Sequence, residues 1–276
     1  MRENIEKILN IKIKNCTLMA QNSSAYIYNC DDKYIVKVSE HGWLLSSEAQ
    51  MLEYLKSNSN LPVPNVIKKL DNILITEHIK NNSLGKEDAQ IDAAVKLASL
   101  HRISDEQFGF ITNTSVGIFE QSNKQNSSWI DFFKRERVLD FANRTLVAGK
   151  ISDKLYDRVV SFCDDFDKYL IEPSFASLLH GDVWSGNVLI DNGEVVGFID
   201  PAIYYGHHEM DLAFIMMFNT FDREFFQKYK EIFPIADGFF EERADIYNLY
   251  PYLVHALAFG GNYIPFIEKT VTKYGY

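Results

Sequence analysis

Three oxygen-bearing side chains at fixed spacing carry the first sign of chemistry in this chain. His180-Gly-Asp182 is followed five residues later by Asn187, and Gly197-Phe-Ile leads into Asp200. Phosphoryl transfer from a nucleotide asks for this set. One carboxylate takes the proton of the attacking hydroxyl, while an amide oxygen and a second carboxylate hold Mg2+ against the phosphates. Asp182 is therefore the candidate general base, and Asn187 and Asp200 are the candidate metal ligands. Singly, each reads as a turn former or a strand end; together, at this spacing, the chemical reading prevails.

A hairpin must bring them together. The apolar runs 188–190 and 195–199 flank Asn192-Gly193, a dipeptide that favours a tight two-residue turn. Pairing outward from that turn sets Ile190 beside Val195, Val188 beside Gly197 and Asn187 beside Phe198. Asn187 and Asp200 are then predicted to emerge at one open end, as hard oxygen donors suited to Mg2+. Asp182 lies in the loop just before, within reach of an acceptor hydroxyl.

Nucleotide chemistry also asks for a lysine on a strand and a glutamate on the next helix to orient it. Residues 24–30 and 33–38 are rich in β-formers and separated by Asp31-Asp32, which predicts a hairpin. Lys37 sits in the second run among β-branched residues. Residues 42–57 read as a helix with Leu45, Glu48, Leu52 and Leu55 on one face. A carboxylate on an apolar face is costly without a partner, so Glu48 is predicted to pair with Lys37. A second strand pair, 66–70 and 73–79, leads to backbone around Glu77, His78 and Ile79 that could meet an adenine edge. One demand goes unmet: Gln21-Asn22-Ser23-Ser24-Ala25, where a phosphate-covering turn should lie, has no glycine, although backbone amides can still form an anion nest.

Beyond the polar connector 81–85 the chain reads as largely helical. Ile91, Ala94, Val95 and Ala98 predict one helix face ending near His101; Leu155, Val159, Phe162, Phe166 and Leu170 predict another. The expected fold is therefore α+β and two-lobed, protein-kinase-like, with a small β-rich lobe at 1–80 for nucleotide and a larger, mostly helical lobe at 81–276 for catalysis and substrate.

Composition agrees with a folded enzyme and excludes other classes. There are 28 basic against 38 acidic residues in 276, a net charge of −10, so no basic face for nucleic acid is implied. No apolar run approaches a membrane span, and the start lacks the apolar stretch of a secretory signal. A cytoplasmic location is expected, and no feature sets an oligomeric state. Cys16, Cys30 and Cys163 lack metal-ligand spacing and are expected to be free, mostly buried thiols of a reducing compartment.

His180-Gly-Asp-Val-Trp-Ser-Gly-Asn187 resembles the catalytic loop of the fructosamine kinase (ketosamine 3-kinase) family, and Asp200-Pro-Ala-Ile-Tyr-Tyr-Gly-His-His-Glu-Met-Asp211 resembles the segment that follows it there. Trp129-Ile-Asp-Phe-Phe and the stretch 247–263 are weaker matches. The resemblance implies ATP and Mg2+ as cofactors, Asp182 as base, Lys37 with Glu48 at the phosphates, and Asp211 as a structural brace of the catalytic loop. It implies phosphorylation of a sugar hydroxyl, typically O3, of free or protein-bound ketosamines such as ribulosamines, which promotes release of the amine. Trp184, His207 and His208 are the candidate substrate contacts, although the family often has arginine at the position of His208. His101 and His255, in apolar helical surroundings, are expected to be core histidines. Two other readings fit the same residues. One is a phosphotransferase for another small hydroxyl, such as an aminoglycoside or amino alcohol. The other is a nucleotide-binding pseudokinase, favoured by the missing glycines and opposed by Asp182, Asn187 and Asp200.

Overall fold

The computed structural model describes residues 1–22 and 24–276. A short helix α1 (Arg2–Leu9) precedes β1 (Cys16–Gln21), β2 (Tyr26–Cys30) and β3 (Tyr34–Val38). Helix α2 (Gly42–Asn58) follows, then β4 (Val66–Leu70) and β5 (Ile73–Glu77). The strands form one antiparallel sheet in the order β1-β2-β3-β5-β4. Strand alternation sends successive side chains to opposite faces. Val36 and Ile75 are buried against Ile5 and Ile13, whereas Leu74 is buried with Leu45 and Ala49 of α2. Lys37 neighbours Val36 in sequence and so faces α2. The pairing of Lys37 with Glu48 follows from that parity.

Two features of this part were not foreseen. Helix α1, with Ile5 alone fully buried, lies ahead of the strands read from the sequence. Cys16 and Cys30 are not free thiols but a disulfide. Widely spaced in sequence, they are directly opposed partners in the β1–β2 ladder, and register rather than spacing brings them together. Cys163 is free and buried.

The rest of the chain is mostly helical. It runs through α3 (Lys86–His101), β6 (Ser104–Asp105), β7 (Thr114–Val116), β8 (Phe119–Gln121) and α4 (Trp129–Phe132). A π-helical stretch, Phe133–Leu139, continues into α5 (Asp140–Val147), followed by α6 (Asp153–Asp164). Next come β9 (Ala176–Leu179), β10 (Val188–Asp191), β11 (Glu194–Phe198), β12 (Tyr204–Gly206) and α7 (Glu209–Met217). Helices α8 (Arg223–Ile232), α9 (Ala244–Tyr247), α10 (Leu249–Phe259) and α11 (Ile264–Lys273) close the chain. Among the described residues, no helix is long and apolar enough to cross a membrane.

Helix α3 buries half of the face expected, Ala94 and Ala98 but not Ile91 and Val95. Ala89, Ala93, Ala94, Leu97, Ala98 and His101 are inside, while Ile91 and Val95 are exposed. Helix α3 packs against α8 and β11, and four of its buried side chains, Ala89, Ala93, Ala94 and Ala98, are small enough for close approach. The series from Leu155 to Leu170 is likewise not one helix. α6 stops at Asp164, and a tight turn, Phe166–Lys168, follows. Asp165 at the break spends its carboxylate on Lys168 and the Tyr276 hydroxyl, while Phe162, Phe166 and Leu170 remain buried.

Candidate active site

Strand β9 is buried along its whole length and delivers His180, Gly181 and Asp182 at its end. Gly181 has φ +83°, and a Cβ there would lie 2.2 Å from the Ala202 carbonyl oxygen. Only glycine lets the two segments approach this closely. The Ala202 N–H donates to the His180 carbonyl at 2.8 Å, which lashes the Asp182 loop to the segment carrying Asp200. Asp211, at the start of α7 and 1% exposed, fixes the loop from beneath. Its carboxylate accepts from the His180 and Gly181 amides, both at 2.9 Å, and lies 3.1 Å from His101 Nε2.

The β10–β11 hairpin carries the other two oxygens, with one correction to its register. Ile190 pairs with Val195, but a bulge then shifts the ladder so that Leu189 faces Gly197 and Val188 faces Phe198. The extra residue moves each expected partner by one. The Ile199 N–H donates to the Asn187 carbonyl at 3.0 Å, so Asn187 and the Asp200 segment still meet at the open end. Asn187 donates both amide hydrogens to Asp182, to its backbone oxygen at 3.0 Å and its carboxylate at 2.9 Å. That leaves the Asn187 side-chain oxygen for a cation. Asp200 has φ +52°, a left-handed conformation uncommon outside glycine and costly before proline. Its carboxylate and that of Glu48, at 2.8 Å, both hold the Lys37 ammonium.

Electrostatics follow from burial and these neighbours. Burial alone would lower the pKa of Lys37; the charges of Asp200 and Glu48 more than reverse it, and the net shift is upward. Burial raises Glu48, with Lys37 opposing. Burial, then the Asp200 charge, pushes Asp182 up to about 8, against the hydrogen bond from Asn187. A carboxylate made this basic is matched to accepting a proton near neutral pH. Burial holds His180 down at about 4; its neutral Nδ1 accepts from the Asp182 N–H at 3.3 Å.

Lys37, Glu48, Asp182, Asn187 and Asp200 line one cleft of about 600 Å³, together with Asn22, Ser24 and Ala25. The amides of Ser24 and Ala25 donate to the Asn22 side-chain oxygen at 3.0 and 2.8 Å; Ser23 lies outside the described residues. A smaller cavity of about 160 Å³ adjoins, between Ile27 and Ile35 above and Leu189 and Ile199 below, with Glu77, His78 and Ile79 at its edge. The Glu77 amide donates to Asn65 and the His78 amide to Lys33. The Ile79 amide has no intramolecular acceptor among the described residues. The side chains of Glu77 and His78 turn to Asn65 and to the Asp32 carbonyl, so what this edge offers a planar base is backbone.

The substrate candidates divide. Trp184 lines the cleft, 39% exposed, with its ring lying over Gly186. His207 and His208 do not line it. His207 is buried against Trp129 and Tyr247, and His208 packs on Tyr229 and Phe233 with Nε2 3.2 Å from the Pro234 carbonyl. Burial holds both rings neutral, His208 at about 3. Following β12 into the start of α7, they face the core because the chain turns inward there to place Asp211. Glu209 beside them gives both oxygens to Arg243 at 2.7 Å. His101 is a core residue, 2.7 Å from the Tyr229 hydroxyl. His255, expected in the core, instead lines the cleft with Phe218, Phe259 and Tyr263. The i, i+4 spacing of His255 and Phe259 was the available signal, masked by the apolar composition of α10.

The family signature described as fructosamine kinase matches residues 3–274. The chain belongs to that family. The "probable ketoamine kinase" of Vibrio parahaemolyticus is 32% identical over 269 residues, covering 91% of this chain and 88% of that protein. The chloroplastic protein-ribulosamine 3-kinase of Arabidopsis thaliana is 31% identical over 230 residues, covering 80% and 68%. A crystal structure from Thermobifida fusca, provisionally named fructosamine-3-kinase, superposes with a TM-score of 0.86 at 25% identity, covering 99% of this chain and 97% of that one. The ADP-bound aminoglycoside phosphotransferase APH(2'')-Ib shares the fold alone, with a TM-score of 0.70 at 18% identity, covering 98% and 95%.

Proposed function

We propose that the protein transfers the terminal phosphoryl group of ATP to a sugar hydroxyl, O3, of ketosamines such as ribulosamines and fructosamines. The observation that carries this reading is one cleft holding Asp182, Asn187, Asp200 and the Lys37–Glu48 pair, in a chain of the fructosamine kinase family. Asp182 accepts the proton of the sugar hydroxyl as that oxygen attacks phosphorus. Lys37, aimed by Glu48, meets the negative charge of the phosphates, and the Ile79 amide and the apolar walls beside it hold the base. The free oxygens of Asn187 and Asp200 fit Mg2+, a hard cation that takes oxygen ligands. When bound, the ion neutralises phosphate charge. A phosphate at O3 sits on the carbon next to the C2 carbonyl; enolisation toward C1 gives an enaminol that expels inorganic phosphate from C3, and water then hydrolyses the resulting imine to free the amine, so the net result is deglycation.

An aminoglycoside is a poorer fit. Of the three carboxylates lining the cleft, Glu48, Asp182 and Asp200, none is spare to pair with the several ammonium groups of such a molecule. The test is ADP release with a ribulosamine, a fructosamine and an aminoglycoside, with the position of the new phosphate read by NMR. Asp182→Asn is expected to lower turnover by about 10²–10⁴ while Mg-nucleotide affinity stays within twofold. Undiminished turnover in that variant would reject Asp182 as the base.

A further inference from the structure

We propose that the acceptor side of the cleft recognises the amine half of its substrate as one secondary ammonium bearing an apolar substituent, with His255 accepting a hydrogen bond from that nitrogen. This rests on the ketosamine reading and specifies which ketosamines the site takes. The wall beyond the reacting groups is built from Trp184, Phe218, His255, Phe259 and Tyr263, and among the described residues it carries no carboxylate. The rings form a continuous rim. His255 lies 4.8 Å from Tyr263, 5.5 Å from Phe218 and 5.8 Å from Phe259, and Trp184 lies 6.0 Å from Phe218, centroid to centroid. A monocation meeting this wall finds π faces, which attract it, and one lone pair.

That lone pair is set by the local backbone. His255 Nδ1 is 2.7 Å from the Pro251 carbonyl, one turn earlier in α10. A carbonyl accepts only, so Nδ1 carries the hydrogen, and the neutral ring presents Nε2 as an acceptor. Burial keeps the ring neutral. Nε2 has no protein hydrogen-bond partner among the described residues, and the residue faces the cleft. The nitrogen of a ketosamine is a secondary amine, protonated near neutral pH, and donates what Nε2 accepts. Phe259, 69% exposed, stands at the mouth one turn beyond His255, where an alkyl or aryl group on that nitrogen would cover it. A polyamine would bring further charges to a wall with nothing to pair them.

The experiment uses the full chain, Mg-ATP and ribulosamines that share one sugar and differ in the amine: methylamine, benzylamine and a diamine. A 1-O-benzyl ribulose, with an ether oxygen replacing the ammonium, completes the set. Wild-type protein should use the benzylamine adduct at least about fivefold better in kcat/KM than the methylamine or diamine adducts, and about tenfold or more better than the ether. In His255→Phe the ammonium-to-ether ratio should fall about tenfold, mainly through KM. His255→Gln, whose amide oxygen can stand near Nε2, should restore much of it, and Phe259→Ala should erase the preference for benzyl over methyl. A ratio in His255→Phe within twofold of wild type, or a preference for the diamine adduct, overturns the proposal while leaving the kinase reading intact. Absence of ADP release from every ribulosamine removes both. Should His255→Phe fail to fold, the wild-type ammonium-to-ether ratio and His255→Gln still decide.

Discussion

Replacing Asp211 with asparagine tests whether the catalytic loop is held from below or merely packed. The side chain keeps its shape, so the change is one of hydrogen-bond polarity and charge. One carboxylate oxygen meets both the His180 amide and His101 Nε2, and the other meets the Gly181 amide. Asparagine can place its oxygen on the first pair, but its NH2 then faces the Gly181 N–H, donor against donor. An unsatisfied buried donor costs about 1–3 kcal/mol, and two charge-assisted bonds made neutral lose roughly 1 kcal/mol each, for a total near 4 kcal/mol. For 276 residues the unfolding entropy is about 0.6 kcal/mol/K, so Tm should fall by about 7 °C. Gly181 adjoins Asp182, and a shift of the base by about 1 Å should cost on the order of a hundredfold in kcat, with KM for Mg-ATP within twofold. Burial acts upward on the Asp211 carboxyl, but the His101 and His180 interactions more than reverse it, and the net shift is downward. The brace is therefore fully present above the ordinary carboxylate pKa and is lost as pH falls through the lower folded value. The variant should lack that acid-induced loss. Differential scanning calorimetry and steady-state kinetics read these effects, and wild-type kcat with a Tm change under about 1 °C would refute the assignment of Asp211 as a brace.

Other expectations follow from the same geometry. Gly181→Ala should cost more than about 3 kcal/mol, because both φ and the Ala202 carbonyl forbid it, whereas Gly149→Ala, at φ +66° with open space around it, should cost about 1 kcal/mol; chemical denaturation of the pair tests this contrast. Burial keeps His208 neutral down to about pH 3 in the folded protein, while the unfolded chain takes up that proton below about 6.5. His208 therefore removes stability as pH falls from about 6.5 to 3, and His208→Gln should flatten the pH dependence there by about 1.4 kcal/mol per unit; parallel slopes for the two proteins would contradict it. Chelation of divalent cations with EDTA should abolish turnover and Mg2+ should restore it, as followed by ADP release; activity that survives chelation would reject the ligand roles of Asn187 and Asp200.

How much of this was legible beforehand depends on how local the determining interaction is. The strands around Lys37 and the helix carrying Glu48 could be read because parity and helical period are properties of a few consecutive residues, and parity alone aims the lysine at the helix. The hairpin was legible in its turn and not in its bulge, since nothing in residues 188–198 distinguishes a regular ladder from one with an extra residue. Helix α3 was found, with Ala94 and Ala98 inside as read but Ile91 and Val95 outside. Hydropathy favours Ile91 and Val95, but the side of α3 turned inward carries Ala89, Ala93, Leu97 and His101 as well as Ala94 and Ala98, and which side is covered is a property of the partner surfaces. The disulfide was missed for a related reason, because its partners meet through a ladder register that two distant cysteines do not reveal.

The histidines extend the same reasoning to function. His101 and His255 lie in apolar helical stretches, while His207 and His208 follow one another in Gly206-His-His-Glu209, and composition cannot say which ring faces a substrate. What separates them is the company of each ring nitrogen. His101 has both nitrogens engaged in the brace, and His208 is tied to the Pro234 carbonyl. His207 has one nitrogen accepting from the Glu209 amide, and the other is sealed in the core without a hydrogen bond. His255 has one nitrogen fixed and the other open to the cleft. A side chain with a set tautomer and an uncommitted lone pair, placed where an acceptor molecule must lie, can discriminate among substrates. His207 and His208, offered by the sequence as candidate substrate contacts, do not line the cleft. Chemistry at the phosphate is therefore written in the local motifs of this chain, whereas selection of the amine is written in how α7 and α10 pack, which becomes visible only once the helices are in place.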